Sequence, residues 1–290
     1  MKLEKNILKQ LLLLFFVLFF FLTNAQNPFI ENKGQFPKTV ISKTNLPSGA
    51  LFIEEAKLTY AFYNGKQLAD IHDGLAENNS VDAHAYSVSF LNANTTERYS
   101  LKGESKFFEN YYLGEKSTWA SNVKSFKTQT QHTIYNGIDL YFYIDNDHLK
   151  YELHLAKNSN EKAIKFRYDG VNSIALSNGN LFVKTSVNSI MEYRPYAYQI
   201  IEGIEVEVDC SYKLNKKTVS FSFPDDYNRN YPLVIDPVLE FSTYSGSTTD
   251  NFGYTATYDN FGFLYAGSTS FGVGYPTTLG AYQINYANAA

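Results

Sequence analysis

The sequence predicts an all-β protein, and three observations support this fold class. Aromatic residues make up 17% of the 290 residues, with 24 Tyr and 23 Phe, and both residue types favour the pleated, half-buried surface of a strand. The clearest segments alternate apolar and polar residues with a period of two rather than the helical period of about 3.6. Turn signals recur about every 8–12 residues, which is typical of an antiparallel sandwich or an open barrel.

The first 25 residues have the composition of a secretory signal peptide. Three lysines precede an unbroken apolar run of 12 residues, Leu11 to Leu22, and the small residues Thr23 and Ala25 follow it. A helix that spans a bilayer needs about 20 apolar residues, so a retained membrane anchor is the less favoured alternative. We therefore expect cleavage after Ala25 and no membrane span in the mature chain.

Residues 26–236 are predicted to form an all-β domain, as one sandwich-like or open-barrel unit or as two subdomains. "KLTYAFY" and "AYSVSFL" are strand candidates, and "GIDLYFYI" and "LKYELHL" flank turn residues and predict a hairpin. "NSIAL" and "LFVKTS" predict another hairpin, because Asn178 and Gly179 between them suit the positive φ angles of a tight turn. No amphipathic helix is predicted after residue 25.

The segment "IEVEVDCSYKL", Ile204 to Leu214, shows the most regular alternation in the chain. Its even-numbered residues are apolar and its odd-numbered residues are polar or charged, so it predicts one long half-buried strand that pairs with "TVSFSF". Cys210 lies on the predicted apolar face, where a thiol is buried and unreactive. It is the lone cysteine of the chain, which excludes an internal disulfide.

A domain boundary is predicted near Asp236. Pro232 and Pro237 interrupt strand pairing there, and the composition changes from charged hairpins to Gly, Ser and Thr. Residues 237–290 contain three strand-like pieces, "VLEFSTY", "YTATY" and "FLYAGST", which are separated by turns that contain Asp and Gly. These pieces predict a short antiparallel meander.

Charge and motif content disfavour several functions. Without residues 1–25 the chain has 22 basic and 28 acidic residues and no basic stripe, which argues against nucleic acid as a partner. The patterns of a zinc hydrolase, a nucleophile elbow and a phosphate loop are absent from the sequence. The acidic row Glu205, Glu207 and Asp209 is better explained as a solvated strand face than as a calcium site. We predict no catalytic residue, no metal ligand and no cofactor.

Tyr111, Tyr112 and Trp119 are the candidate interaction residues. Aromatic rings of this kind can stack on sugars or pack against a protein partner, and the alternative is that they fill the core or cover strand edges. Two or three exposed aromatic rings beside a converging carboxylate would favour a carbohydrate site. Their absence from the surface would count against one.

The carboxy-terminal motifs resemble one SBBP-type β-propeller repeat. "FSTYSGS", "YDNFGFLYAGSTS" and "YPTTLGAYQ", within Phe241–Gln283, follow the order of such a repeat. The preceding motifs resemble the uncharacterised amino-terminal domain that precedes these repeats in secreted surface proteins of gliding-type Gram-negative bacteria. They are "FIENKGQF", with a predicted turn at Lys33 and Gly34, "NYYLG" with Trp119, "IYNGIDLYFY", "LKYEL", "YRPYAYQ" and "PLVIDPVLEFSTY".

This resemblance implies a secreted cell-surface protein that is not an enzyme and that serves assembly, adhesion or gliding. Residues 237–290 would be one incomplete blade of a propeller of about 4–8 blades, so we expect the chain to be the amino-terminal part of a longer protein. The partner would be a cell-surface or extracellular protein or glycan. The alternatives are a carbohydrate-binding or polysaccharide-processing accessory module and a hydrolase whose active site lies in further blades.

Overall fold

The computed structural model describes most of the chain after residue 28. The backbone is described for residues 29–72, 74–76, 78–95, 98–145, 148–237, 239–242, 251–258 and 264–270. Within these ranges the side chains are described through Pro237, except that of His148. The predicted signal peptide and its cleavage point at Ala25 lie outside the described residues.

The described residues are mostly in β-strands. The first half of the chain forms β1 (Phe29–Glu31), β2 (Val40–Leu46), β3 (Gly49–Glu54), β4 (Lys57–Tyr63), β5 (Ala83–Phe90), β6 (Tyr99–Lys102), β7 (Phe108–Tyr111), β8 (Ala120–Phe126), β9 (Thr128–Tyr135), β10 (Ile138–Asp145) and β11 (His148–Leu155). The second half forms β12 (Lys165–Asp169), β13 (Ser173–Ser177), β14 (Asn180–Lys184), β15 (Ser189–Glu192), β16 (Tyr196–Ile201), β17 (Ile204–Glu207), β18 (Ser211–Asn215), β19 (Thr218–Ser222), β20 (Leu233–Asp236), β21 (Leu239–Ser242), β22 (Asn251–Tyr258) and β23 (Leu264–Ser270). The described helices are α1 (Gly65–His72) and two 3-10 helices, Lys116–Thr118 and Glu161–Ala163.

Two large antiparallel sheets enclose the core. The ten-stranded sheet has the order β18-β19-β12-β5-β4-β3-β2-β1-β8-β7, and the seven-stranded sheet has the order β17-β16-β20-β11-β10-β9-β6. A four-stranded sheet, β13-β14-β15-β21, joins the same buried cluster through Leu181, Val183 and Ile190. The predicted all-β fold class is confirmed, and its form is a sandwich in which both large sheets stay open over the described residues.

Strand alternation determines which residues reach the core. Leu58, Tyr60 and Phe62 of β4 and Leu140 and Phe142 of β10 are each 3% exposed or less, whereas the residues between them are partly exposed. Successive side chains of a strand point to opposite faces, so every second residue of strands such as β4 and β10 faces the core. The period of two seen in the sequence therefore reports burial directly.

The predicted hairpins are confirmed. β10 pairs with β11 along its whole length, from Ile138 opposite Leu155 onward, and β18 pairs with β19. β13 pairs with β14 across Asn178 and Gly179, whose φ angles are 50° and 81°. Both angles are positive, as a two-residue hairpin turn requires. The predicted strand candidates β4 and β5 also pair with each other.

The prediction of one long strand from Ile204 to Leu214 is wrong. The segment forms β17 in the seven-stranded sheet and β18 in the ten-stranded sheet, and the chain crosses between the two sheets in the residues that separate them. Ile204 is 67% exposed, whereas Cys210 is 1% exposed. Strands that switch sheets make the corners of sandwiches, and a continuous alternation in sequence contains no signal for such a corner.

The prediction of no amphipathic helix after residue 25 is also wrong, because α1 connects β4 to β5 and carries Leu68 and Ile71 one turn apart. The helix has only eight residues and none of them is buried, so it is too short for the helical period to stand out in the sequence. The helix is held by local polar contacts instead. The Asn64 side chain accepts a hydrogen bond from the Gln67 amide at 3.2 Å, and the ammonium of Lys66 lies 2.6 Å from the Asp70 carboxylate one turn later.

Strands continue on both sides of the predicted boundary at Asp236. β20, with Pro232 before it and Pro237 after it, lies between β11 and β16 in the seven-stranded sheet. β21 then pairs with β15 and so extends the four-stranded sheet. β22 and β23 pair with each other. The boundary itself and the propeller blade stay predictions.

A buried carboxyl group connects the three sheets. Glu192 of β15 is 4% exposed, and its carboxyl accepts hydrogen bonds from the hydroxyls of Tyr168 at 2.7 Å, Tyr151 at 3.0 Å and Tyr212 at 3.4 Å. Tyr168 and Tyr212 belong to the ten-stranded sheet, and Tyr151 belongs to the seven-stranded sheet. The four-stranded sheet is therefore tied to both large sheets at one point, which we call the Glu192 junction.

Burial raises the pKa of the Glu192 carboxyl above its ordinary value of 4.5, and the hydrogen bonds from the three tyrosines only partly offset that effect. Removing a carboxylate from water costs free energy unless partners compensate its charge. Hydroxyl groups supply dipoles but no positive charge. The Glu192 carboxyl consequently binds its proton more tightly in the folded state than in the unfolded chain.

The Glu192 junction predicts a pH-dependent contribution to stability, which Glu192→Gln should remove. Because the folded pKa is raised, this contribution is fully present below the unfolded value of about 4.5 and is lost as the pH rises through the folded pKa. Within that window the wild type should lose up to about 1.4 kcal/mol per pH unit relative to Glu192→Gln. Urea unfolding of both proteins between pH 4 and pH 8 measures this difference.

Met191→Leu is the matched control, because Met191 neighbours Glu192 on β15 and does not titrate. The difference in unfolding free energy between the wild type and Met191→Leu should not vary with pH. An equally flat difference for Glu192→Gln would contradict the assignment.

Candidate functional site

The segment "ENKGQF" forms a loop that is organised by one side chain, Asn32. Its side-chain oxygen accepts hydrogen bonds from the amides of Gly34 at 2.9 Å and Phe36 at 3.2 Å. Its side-chain nitrogen donates to the carbonyls of Pro37 at 2.9 Å and Val40 at 2.8 Å. Gly34 has φ of 109°, a conformation that favours glycine. The predicted turn at Lys33 and Gly34 is confirmed.

The same loop braces the β7–β8 hairpin. The Lys33 ammonium donates to the carbonyl of Asn122 at 2.8 Å, and the Asn110 side chain of β7 accepts from the Asn122 amide at 2.9 Å. Asn122 lies in β8 with φ of 58°, where the pairing shifts between Glu109 opposite Val123 and Tyr111 opposite Ala120. Contacts from both sides therefore hold the bulge of β8.

Tyr111 contributes to packing in this region. Its ring lies edge-on to Phe36, with 5.9 Å between the ring centroids, and both rings pack against the small buried cluster of Ile30, Ala120 and Val123. Tyr111 is half-buried. Its predicted interaction role stays a prediction, and the observed contacts give it a place in fixing β7 to the sheet.

The other two candidate residues, Tyr112 and Trp119, belong to an exposed apolar surface. We use the name aromatic edge for the exposed apolar residues at the two ends of β7 and in its connection to β8, which are Phe107, Phe108, Tyr112, Leu113 and Trp119. Tyr112 is 55% exposed, Trp119 is 44% exposed and Phe107 is 84% exposed. Exposed large apolar side chains that meet on a surface, as Tyr112 and Trp119 do, are typical of interaction sites.

The geometry of the aromatic edge is fixed by local contacts. The rings of Tyr112 and Trp119 lie 5.2 Å apart at an angle of 60°. The Trp119 indole nitrogen donates to the Gly114 carbonyl at 3.3 Å, and the hydroxyls of Tyr112 and Ser121 are 3.1 Å apart. Both rings are thus oriented before a partner binds, which lowers the conformational-entropy cost of binding.

The aromatic edge lies at the border of a sheet. β7 is the last strand of the ten-stranded sheet and pairs only with β8 over the described residues. Edge strands of soluble proteins usually carry charged residues or proline, or are covered. β7 follows that pattern in having only four residues and the charged Glu109, but exposed aromatic side chains stand at both of its ends, at Phe107, Phe108 and Tyr112, and these indicate a contact surface.

A second aromatic surface covers the outer face of the seven-stranded sheet. We call it the tyrosine face, and its tyrosines are Tyr141, Tyr143, Tyr196 and Tyr198. The rings of Tyr196 and Tyr198 are stacked with their centroids 5.7 Å apart. The register pairs Tyr196 with Asp236 and Tyr198 with Val234 on β20. The tyrosine face therefore crosses the middle of the sheet.

Glu152 is the carboxylate around which the tyrosine face converges. It accepts hydrogen bonds from the Tyr143 hydroxyl at 2.6 Å and from the His154 ring at 2.5 Å, and the His154 ring lies 4.2 Å from that of Tyr141. Burial opposes ionisation of Glu152, but the hydrogen bonds from His154 and Tyr143 outweigh it and hold its pKa below the ordinary value. The centre of the tyrosine face thus carries a negative charge.

Within the described ranges, no cluster of three or more His, Cys, Asp and Glu side chains could hold a metal ion. Cys210 is buried as predicted, and burial, with a smaller contribution from the charge of Asp209, raises the pKa of its thiol to about 12. A thiol of that pKa is a poor nucleophile at neutral pH.

Sequence reasoning missed the tyrosine face and the Glu192 junction. The alternation of β10 and β11 identified the buried side of each strand, and the same pattern places Tyr141, Tyr143 and Glu152 together on the other side. Glu192 follows Ile190 at the spacing of an apolar face in "SIME". A glutamate at a position where the strand period predicts an apolar residue is the sequence feature that indicates a buried polar cluster.

No helix in the described part of the chain combines the length and the apolar content that crossing a bilayer demands.

Comparison with known proteins identifies a family but no relative of known function. A family model described as "Domain of unknown function (DUF7948)" matches residues 29–238, which is well over half of the chain. No curated protein matches the chain, and no solved structure matches it. The matched residues include the Asn32 loop, the aromatic edge, the tyrosine face and the Glu192 junction. The chain therefore belongs to the DUF7948 family of domains of unknown function.

Proposed function

We propose that this chain is a secreted, non-enzymatic cell-surface protein that mediates adhesion or assembly through the aromatic edge. The observation that carries the proposal is the exposed pair Tyr112 and Trp119, which lies in the connection between the edge strand β7 and β8. The Asn32 loop contacts both of these strands. Tyr and Trp side chains contribute large contact area at low entropic cost, and they dominate the energetics of many protein interfaces.

The supporting scaffold fits this role. The aromatic edge is attached to a ten-stranded sheet, and Tyr111 anchors β7 from the buried side while Tyr112 remains exposed. Binding residues are commonly presented by short segments held on a rigid framework. The partner class we propose is a cell-surface or extracellular protein.

The cellular context of the proposal rests on sequence resemblance. The basic and apolar amino-terminal segment with Ala25 supports secretion. The motifs within Phe241–Gln283 support an association with SBBP-type repeats and with surface proteins of gliding-type Gram-negative bacteria. The amino-terminal segment and the repeat-like motifs both point to a location outside the cell.

Replacing Tyr112 and Trp119 together by Ser should abolish surface binding. Beads coated with the purified mature chain are allowed to adhere to cells of the source bacterium, and bound beads are counted by flow cytometry. We expect the double variant to bind at least tenfold less than the wild type, because hot-spot aromatics each contribute about 2 kcal/mol or more. Circular dichroism checks that the variant is folded.

Tyr63→Ser and Leu68→Ser form the matched control. Both residues are exposed, at 38% and 45%, and they belong to β4 and α1 rather than to the aromatic edge. The control variant should bind like the wild type. Equal binding by the edge variant and the wild type would refute the proposed role of the aromatic edge.

A carbohydrate-binding accessory module is the second candidate function, and the tyrosine face favours it. Tyr196 and Tyr198 are stacked side by side, and Glu152 lies in the same face as a hydrogen-bond acceptor. Aromatic rings with nearby carboxylates are suited to the apolar faces and hydroxyl groups of sugars. This surface is distinct from the aromatic edge, so the two candidates are separable by mutation.

Affinity electrophoresis in gels that contain a soluble β-glucan, xylan or alginate tests the second candidate. If the tyrosine face binds one of these polysaccharides, the wild type should migrate more slowly in that gel, and Tyr196→Ala with Tyr198→Ala should restore free migration. The Tyr112→Ser and Trp119→Ser variant should still be retarded. Free migration of the wild type in all three gels would count against this candidate.

A further inference from the structure

A small cavity lies beside the Glu192 junction. It leaves about 10 Å³ for the centre of a water molecule, which is close to the space that one water needs. Its lining comprises Leu58, Tyr60, Val88, Phe90, Tyr151, Phe166, Tyr168 and Glu192. Every one of these residues is 6% exposed or less, so the cavity is part of the core.

The polar groups around this cavity are incompletely used. The Glu192 carboxyl accepts three hydrogen bonds, from Tyr151, Tyr168 and Tyr212, whereas a carboxylate offers about four acceptor positions. Tyr60 is 3% exposed and lines the same cavity as Glu192, and no hydrogen bond joins the two residues. Two buried side chains that carry polar groups therefore border the same small space.

Buried hydroxyl groups in proteins almost always have a hydrogen-bond partner, and an ordered water supplies one where no protein atom can. A water needs about 2–4 polar partners to be held in a core. The lining residues that carry polar groups are Tyr60, Tyr151, Tyr168 and Glu192. A purely apolar cavity of this size would stay empty.

We propose that the cavity is a binding site for one structural water, which accepts a hydrogen bond from the Tyr60 hydroxyl and donates one to the Glu192 carboxyl. The water adds β4 to the strands that are linked at the Glu192 junction. It also gives the carboxyl its fourth hydrogen bond in the middle of the core.

A crystal structure of the mature chain at about 1.5 Å resolution or better tests the proposal directly. We expect one peak of water density within about 2.6–3.2 Å of both the Tyr60 hydroxyl and a Glu192 carboxyl oxygen. An empty cavity, or a cavity that a repacked side chain fills, would overturn the proposal.

A stability measurement gives a second test with opposite signs for a wet and a dry cavity. Val88→Ile adds one methyl group to the cavity lining. If a water is present, the methyl displaces it, and the folding equilibrium constant should fall about fivefold or more. If the cavity is dry, filling it should raise that constant, and this result would contradict the proposal.

Tyr60→Phe is the control for overpacking, because it removes the hydroxyl that holds the water and keeps the ring. In the Tyr60→Phe background, Val88→Ile should lower the logarithm of the folding equilibrium constant by less than half of the amount seen in the wild type. An equal cost in both backgrounds would show that Val88→Ile acts by steric overlap alone. In that case the stability measurements would speak against the water. The proposal would then be refuted unless the crystal structure shows density for the water.

Discussion

The constraint on which the rest of the structure depends is the need to satisfy one carboxyl group in the middle of the core. Glu192 reaches the interior from the four-stranded sheet, and tyrosine hydroxyls from both large sheets meet it there. A buried acceptor that loses its donors costs about 1–3 kcal/mol per unsatisfied group. An arrangement of the three sheets that moved these donors away would leave the carboxyl unsatisfied, so the junction favours the observed arrangement over others with similar apolar packing.

The same principle of local polar bracing operates at the surface. Asn32 makes hydrogen bonds to backbone groups of its own loop, and Lys33 donates a hydrogen bond to the Asn122 carbonyl at the bulge of β8. The loop and the bulge are thereby connected. Tyr111 fixes β7 from the buried side, which leaves Tyr112 and Trp119 in defined orientations at the border of the sheet. The aromatic edge is thus built on a rigid support. The tyrosine face obtains its order in another way, from the hydrogen bonds Tyr143–Glu152 and Tyr196–Glu205 between neighbouring strands and from the stacking of Tyr196 on Tyr198.

Local features were predictable from the sequence, and long-range features were not. The hairpin at Asn178 and Gly179 follows from turn chemistry, and the burial of alternate residues follows from the strand period. The corner before Cys210 forms because the first half of the segment from Ile204 to Leu214 joins one large sheet and the second half joins the other. The sequence of this segment does not indicate which sheet each half joins. The exposed helix α1 has only eight residues, too few for the helical period to be recognised in the sequence. The meeting of Glu192 with Tyr151 and Tyr212 depends on strands far apart in sequence, so pattern reasoning identified the tyrosines as core residues but not their common partner.

Native-state hydrogen exchange of the mature chain tests most directly whether the Glu192 junction unites the three sheets in one cooperative core. The amides of β14 in the four-stranded sheet, such as those of Leu181 and Val183, would be compared with the amides of β4 and β10. Our account predicts the same opening free energy and the same denaturant dependence for all of them, because the sheets unfold together. Exchange of the β14 amides through a smaller local opening, while β4 and β10 stay protected, would contradict it.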